Sequence, residues 1–164
     1  MLRFKKGESP SLSIFPSTLP IKRFENYHTH HIGTYSQTNQ FMIYETFLFL
    51  KPFNEIKKNE EWQNFRKEYV VIYKFDKYGE LISYEYLDAG TVKTFDEELT
   101  EKWISNQLDT LENYVYKDIK IKPFEVIIDG FSFGLIPNSE SEMIEMQPSN
   151  TIAFGEPWNG EYDT

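Results

Sequence analysis

Two apolar segments joined by a short polar turn constrain the fold of this chain more than any other feature of its sequence. Residues 69–75 and 80–87 are rich in aromatic and branched side chains, which favour β-strands. Residues 76–79 connect them, and Gly79 can supply the positive φ angle that a four-residue hairpin loop needs. The sequence therefore predicts a β-hairpin, and the apolar character of residues 69–75 on both faces indicates an interior strand.

Further strands are predicted on both sides of this hairpin. Residues 40–50 have the composition of a buried strand that ends at Pro52, although a helix is an alternative interpretation of the same run. Residues 119–128 are also typical of a strand, and the Asp129-Gly130 pair that follows is a strong two-residue turn signal. Three more strands are predicted at residues 131–136, 143–146 and 151–154.

One long amphipathic helix is predicted over about residues 95–115. Thr94 stands three residues before Glu97, which is the spacing of a capping box at a helix start. Apolar side chains then recur every three to four residues, as on one face of a helix. They are Leu99, Trp103, Ile104, Leu108, Leu111 and Val115. A short surface helix over about residues 55–67 is also predicted from Ile56, Trp62 and Phe65 among polar residues.

These elements predict an α+β fold, mainly antiparallel sheet built from hairpins with the long helix packed on one face. A chain of 164 residues fits a single domain, residues 1–164, and its 28 aromatic side chains can fill a core. Residues 1–39 contain three prolines and no sustained periodicity, which predicts a poorly regular N-terminal segment. Residues 156–164 are expected to form an acidic, irregular tail whose Trp158 packs back onto the domain.

The distribution of charge along the chain favours some classes of binding partner over others. The formal net charge is −9, and residues 123–164 contain eight acidic residues but no Lys or Arg. Such a surface repels nucleic acid, whose phosphates are bound by basic side chains, so direct nucleic-acid binding is not expected. The same field attracts a basic protein and speeds its association. The alternative is that the acidic residues serve solubility alone.

Residues 140–164 alternate acidic side chains with Met and aromatic ones, a mixture typical of protein interfaces. We therefore predict a partner-binding surface in this part of the chain. Its residues are Glu140, Glu142, Glu145, Glu156, Trp158, Glu161 and Asp163. The alternative is that Phe154 and Trp158 are ordinary core residues and that the acidic groups face water.

All three histidines lie together, at His28, His30 and His31. In an extended segment His28 and His30 would point to the same side, as two ligands of one metal ion require, with a further ligand from elsewhere. The stretch resembles the histidine pair of metal-dependent hydrolases such as the JAMM deubiquitinase-like family. In that family Pro usually follows the pair, and a Ser and an Asp complete the motif. Here His31 replaces the Pro, Ser36 matches the Ser, and residues 38–40 supply no Asp.

This resemblance makes a metal-dependent hydrolase using His28, His30 and His31 the alternative function. The other interpretation of these residues is a cluster of surface histidines that binds no metal. No nucleophile elbow, phosphate-binding loop or dinucleotide fingerprint occurs, and the absence of Cys removes thiol chemistry. Paired carboxylates such as Glu140 and Glu142 are common in acidic proteins and do not mark acid–base catalysis by themselves. We therefore expect no enzyme activity, no cofactor and no bound metal.

In general character the chain resembles bacterial immunity proteins that inhibit nuclease toxins, because it is small, acidic, Cys-free and rich in aromatic residues. The resemblance implies a one-to-one complex with a cognate basic toxin domain, whose active surface the protein covers. The basic start is followed by Gly7-Glu8-Ser9-Pro10, where a secretory signal needs an apolar stretch, and no apolar run is long enough for a spanning helix. An unprocessed cytoplasmic protein without membrane contact is therefore expected. A ligand-binding or structural subunit is a further alternative. Oligomeric state is not readable from the sequence.

Overall fold

The computed structural model describes residues 14–164, which form eleven strands in three sheets and one α-helix. The elements in chain order are β1 (Leu19–Ile21), β2 (Ile32–Tyr35), β3 (Asn39–Phe49), β4 (Arg66–Phe75), β5 (Leu81–Thr91), α1 (Glu97–Asp109), β6 (Val115–Tyr116), β7 (Ile119–Ile121), β8 (Phe124–Ile128), β9 (Phe131–Asn138), β10 (Met143–Gln147) and β11 (Ala153–Phe154). The predicted α+β class, with mostly antiparallel sheets, is confirmed.

The largest sheet has five strands in the order β5-β4-β3-β2-β6, and every pair in it is antiparallel. The predicted hairpin of β4 and β5 is confirmed, and β4 is an interior strand. In its loop Gly79 has φ +88°, and the Asp76 amide donates to the Glu80 carbonyl at 2.9 Å. The strand predicted over residues 40–50 is β3, which pairs with β4 along its length.

A second sheet, with the order β11-β10-β9-β8, packs across one face of the first. Its β8–β9 hairpin turns at Asp129 and Gly130, which have φ +51° and +83°, the positive values that a two-residue turn requires. The strand predicted over residues 119–128 is divided into β7 and β8. Pro123 separates the two strands, because it cannot donate a ladder hydrogen bond.

The N-terminal segment predicted as poorly regular contains two strands within its described part. β1 pairs with β7 in a two-stranded sheet, with Pro20 opposite Lys120. Within residues 14–164 β1 has a partner strand on one side only, so a residue without an amide hydrogen is tolerated there. β2 pairs with β3 and β6 inside the five-stranded sheet. The prediction therefore missed both pairings, and residues 1–13 lie outside the described part of the chain.

Aromatic side chains join the two larger sheets. Tyr69 meets Phe133 with ring centroids 5.2 Å apart, and both Tyr73 and Phe75 meet Phe124, at 4.7 and 5.2 Å. These contacts lie in a buried cluster that also contains residues of β1, β7, β10 and β11. Edge-to-face pairs of this kind add to the stabilisation that burial of the rings provides. The second sheet and the C-terminal residues after it are thereby fixed to the main sheet.

Helix α1 covers the opposite face of the five-stranded sheet and contributes Ile104 to a second buried cluster. It has 13 residues, so the prediction of a helix over 95–115 was too long. Leu111 is buried beyond the helix end, whereas Val115 belongs to β6 and Leu99 is 55% exposed. Within residues 14–164 no helix is both long and apolar enough to cross a membrane.

The predicted short helix over 55–67 is replaced by two isolated 3-10 turns, Phe53–Glu55 and Trp62–Asn64. Neither turn buries a residue, and neither has a side-chain cap. The apolar residues of this stretch do not repeat at a helical interval, so a longer helix would have no continuous face to bury. β4 begins directly afterwards, at Arg66.

The start of α1 allows a direct test of the helix cap. The carboxylate of Asp96 accepts a hydrogen bond from the Leu99 amide at 3.1 Å, whereas Thr94 bonds within the preceding turn to the Thr91 amide. Asp96, and not the predicted Thr94, is therefore the cap. Asp96→Ala is expected to lower the free energy of unfolding by about 1 kcal/mol, measured by urea denaturation. Asp109→Ala, at the opposite end of the helix, is the control and should not destabilise the protein.

Candidate protein-binding cleft

A cleft of about 450 Å³ opens beside the second sheet, between the turn that precedes β10 and the C-terminal residues of the chain. We call it the C-terminal cleft. Residues 141–143 form one wall, and residues 155–159 with 161–163 form the other, while Ile14 and Ala153 complete the lining. Five of the seven residues predicted to bind a partner line it, namely Glu142, Glu156, Trp158, Glu161 and Asp163.

Backbone contacts hold the C-terminal wall in place although it contains almost no regular structure. Ala153 and Asp163 exchange two backbone hydrogen bonds of 3.0 and 2.9 Å. The Lys22 amide donates to the Gly160 carbonyl at 2.9 Å. Gly160 has φ +94° and lies so close to Lys22 that an added Cβ would stand 2.9 Å from its Cγ. The wall is therefore a fixed part of the domain.

Tyr162 anchors the same wall through its side chain. Its ring packs against Phe154 and Phe24, with centroid distances of 5.6 and 5.5 Å. Its hydroxyl lies 3.0 Å from the hydroxyl of Thr29, which is fully buried. Because the Thr29 hydroxyl already donates to the Lys22 carbonyl, the Tyr162 hydroxyl is the donor to Thr29. The predicted packing of Trp158 onto the domain is also seen, with Phe15 at 6.0 Å.

Two cleft residues have backbone angles that L-amino acids rarely adopt. Glu142 and Trp158 both have φ +59°. For a bulky residue such as Trp this left-handed conformation costs free energy, on the order of 1 kcal/mol or more, and persists only where surrounding contacts impose it. Such positions concentrate at functional sites, because the strain aims a side chain where packing alone would not. Both Glu142 and Trp158 line the cleft.

Among the residues that the structure describes, few basic groups compensate the charge of the cleft. It carries the carboxylates of Glu142, Glu156, Glu161 and Asp163. Among residues 14–164 the only basic group within 4.0 Å of any of them is Lys22, whose Nζ lies 3.4 Å from Glu161, and both side chains of that pair are exposed. Exposed pairs contribute little, so the cleft remains anionic. Carboxylates around an indole ring suit Lys and Arg side chains, which pair with the acids and stack on the ring.

Two predicted partner-binding residues lie outside the cleft. Glu140 is exposed in the turn before β10 but does not line the cavity. Glu145 is only 7% exposed, and its carboxylate accepts hydrogen bonds from the side-chain amides of Asn138, Gln147 and Asn150 at 2.8, 3.3 and 3.3 Å. Its carboxylate therefore ties β10 to the end of β9 and to the turn that contains Asn150, and its assignment to a partner surface is not supported by this placement. Tyr162, which the prediction omitted, lines the cleft.

The histidines occupy a turn and not the extended segment that the sequence suggested. His28 and His30 line a shallow cavity of about 390 Å³ with Glu25 and Glu45. His30 Nδ1 donates to the Tyr27 carbonyl at 2.6 Å. Within residues 14–164 no group of three His, Asp or Glu side chains is arranged to hold a metal ion. The structure therefore does not assemble the ligand set that the metal-hydrolase alternative requires.

His31 does not line this cavity, although its ring lies 4.1 Å from the His30 ring, and its Nδ1 lies 2.9 Å from the Tyr116 hydroxyl. Burial lowers the pKa of His31 from 6.5 to about 4, and the nearby His30 and Arg23 act in the same direction. The folded protein thus holds a neutral imidazole at pH values where the unfolded chain is protonated. Stability should fall as the pH drops from about 6.5 to about 4, and the loss should not grow further below that value.

An NMR titration of the imidazole protons tests this pKa directly, with a midpoint of His31 near 4 expected. After allowance for solvent screening of the partly exposed ring, the cost at low pH is about 1 kcal/mol. His31→Gln should therefore lose about that much less stability than the parent protein between about pH 7 and pH 4.5 in urea denaturation. A His31 midpoint at or above its ordinary value, with equal losses in both proteins, would contradict the account.

Comparison with known proteins found no matching protein-family model, no similar curated protein and no similar solved structure. A functional conclusion for this chain therefore depends on the geometry and charge of its own residues.

Proposed function

We propose that this chain is a cytoplasmic bacterial immunity protein, a non-enzymatic inhibitor that binds a basic toxin domain and covers its active surface. The C-terminal cleft is the contact surface in this proposal. Its carboxylates bind Lys and Arg side chains of the toxin, and Trp158 provides an aromatic surface beside them. A toxin that acts on nucleic acid needs basic residues for its substrate. An acidic cleft placed over those residues blocks substrate binding.

One observation carries the proposal, namely the anionic, aromatic cleft with its fixed walls. Contacts of Tyr162, Gly160 and Asp163 hold the C-terminal wall, so a partner meets a surface that needs little ordering. A preformed surface reduces the entropy lost on binding. Within residues 14–164 the four carboxylates have one basic neighbour, which is solvent-exposed, so a cationic partner gains attraction without displacing a strong ion pair of the described residues.

Affinity capture tests the proposal. The tagged full chain is exposed to a lysate of its native cells at low and at high salt, and the bound proteins are identified by mass spectrometry. A basic protein bound one to one at low salt, and released as salt rises, is the expected result. The captured protein, expressed alone in a test bacterium, should arrest growth, and co-expression of this chain should restore it.

Two variants with equal changes in charge make the test specific. The cleft variant carries Glu142→Lys, Glu156→Lys and Glu161→Lys. The control variant carries three reversals at exposed acidic residues outside the cleft, which are Glu55→Lys, Asp109→Lys and Glu112→Lys. The control variant should restore growth and the cleft variant should not. Equal rescue by both variants, or a captured protein without toxicity, would overturn the proposal.

A further inference from the structure

The outer edge of strand β5 is a second surface on which the structure offers unused binding groups. β5 is the terminal strand of the five-stranded sheet, and no strand formed by residues 14–164 pairs with its outer side. It is 11 residues long, and residues 82–86 are all exposed. Lys, Pro and short length are among the features that shield natural edge strands, and β5 has none of these three, although it carries Glu85 and Asp88 and has an irregular register on both sides of its middle.

The middle of β5 is regular enough to pair with another strand. Six consecutive residue pairs join it to β4 without interruption, from Tyr69 opposite Asp88 to Lys74 opposite Ser83. Irregularities in the register occur only on either side of this stretch. The segment 83–88 is therefore a regular strand without a bulge, and its six residues match the length of one ordinary strand.

Side chains on the two faces of this segment define what an added strand would need. Tyr84 and Tyr86 share the face that points toward the second sheet, where they remain 38% and 42% exposed. Glu85 lies on the face toward α1. Side chains alternate between the two faces along a strand. Every second residue of an added strand would therefore contact the tyrosines, and the residues between them would contact Glu85.

A hollow of about 440 Å³ lies along this edge, lined by Tyr84, Glu85, Tyr86, Trp103 and Gln107. Glu85 has no basic group within 4.0 Å among the described residues, unlike Asp88, which pairs with Lys67 Nζ at 2.8 Å. The hollow thus contains a carboxylate without a basic neighbour beside the indole ring of Trp103. A Lys or Arg side chain complements both groups.

We infer that β5 accepts an extended segment of a partner protein as a sixth strand of the sheet, with Lys or Arg on the α1 side and apolar residues over the two tyrosines. Backbone hydrogen bonds to 83–88 supply affinity that does not depend on the sequence of the added strand. The hollow gives specificity, because it favours a cationic side chain. A second copy of this chain is a poorer occupant, because each copy carries a net charge of −9. This inference stands on the sheet edge alone and does not depend on the C-terminal cleft.

The test uses a peptide of defined chemistry, acetyl-Val-Lys-Val-Lys-Val-Lys-Val-amide, titrated into the isotope-labelled full chain and followed by NMR. The chain carries the three substitutions of the cleft variant, so that the cationic peptide does not bind in the C-terminal cleft. A failure of the β5 inference can then be distinguished from a failure of the cleft proposal. We expect shift changes and slowed amide exchange in residues 83–88. The same peptide N-methylated along its backbone, which keeps its charges but removes its hydrogen-bond donors, should not bind.

A charge reversal at the edge gives the second arm. Glu85→Lys should weaken peptide binding about tenfold, whereas Glu112→Lys, at an exposed position away from the edge, should change it less than about twofold. Equal binding of the N-methylated peptide would overturn the inference, as would shift changes that exclude residues 83–88. Dimerisation in sedimentation measurements, with all six amides of 83–88 already protected in the free chain, would assign the edge to a second copy instead.

Discussion

Phe154→Ala is expected to lower the free energy of unfolding by about 3–5 kcal/mol. The Phe154 side chain is 1% exposed and belongs to the cluster that joins the two larger sheets. Its ring also supports Tyr162, with centroids 5.6 Å apart. Truncation removes buried apolar surface and leaves a cavity that rigid neighbouring strands cannot close. Because Tyr162 holds the C-terminal wall, the substitution should also loosen the cleft.

Urea denaturation followed by Trp fluorescence measures this loss. Phe53→Ala is the matched control, since the same atoms are removed from a ring that is 63% exposed, and it should cost less than about 0.5 kcal/mol. Similar losses for the two variants would contradict the assignment of Phe154 to the core and of Phe53 to the surface.

The second large effect is expected in the kinetics of partner binding. At low salt the cleft variant should associate with the captured basic partner about 10- to 100-fold more slowly than the parent protein, while its dissociation rate changes less. Long-range attraction between an anionic cleft and a cationic surface acts before contact, so its loss appears mainly in the association rate. Stopped-flow measurements at several salt concentrations give both rates.

The control variant carries the same total change in charge at positions away from the cleft. At about 0.1 M salt its association rate should fall by less than about threefold, because the field of a distant charge is screened within about 10 Å. Equal slowing of both variants would mean that net charge, and not the cleft, attracts the partner.

Local turn chemistry explains why the hairpins could be predicted from the sequence. Asp129 and Gly130 adopt the positive φ angles that their residue types favour, and the loop containing Gly79 does the same. The helix end was harder to predict because apolar spacing continues beyond Asp109. Leu111 is buried without being helical, and Val115 is a strand residue. Periodicity reports which residues face a core but not which element carries them.

The candidate site was predictable in composition and only partly in detail. Alternation of acidic and aromatic residues identified the region, but it could not show that the side-chain amides of Asn138 and Asn150 cover Glu145. The contact between Tyr162 and Thr29 joins residues that are 133 positions apart, and no local pattern encodes it. The histidines show the same limit, because the sequence suggested an extended segment but the structure places them in a turn, where the His31 ring lies 4.1 Å from the His30 ring and its Nδ1 meets the Tyr116 hydroxyl, 85 positions away.

Hydrogen–deuterium exchange of the full chain, with and without the captured basic partner, tests the central claim most directly. The account predicts slower exchange on complex formation in residues 141–143 and 155–163, which form the two walls of the C-terminal cleft. The cleft variant should show no such change at the same concentrations. Unchanged exchange in both walls of the parent protein, with protection confined to other elements, would contradict the claim that the cleft binds the partner.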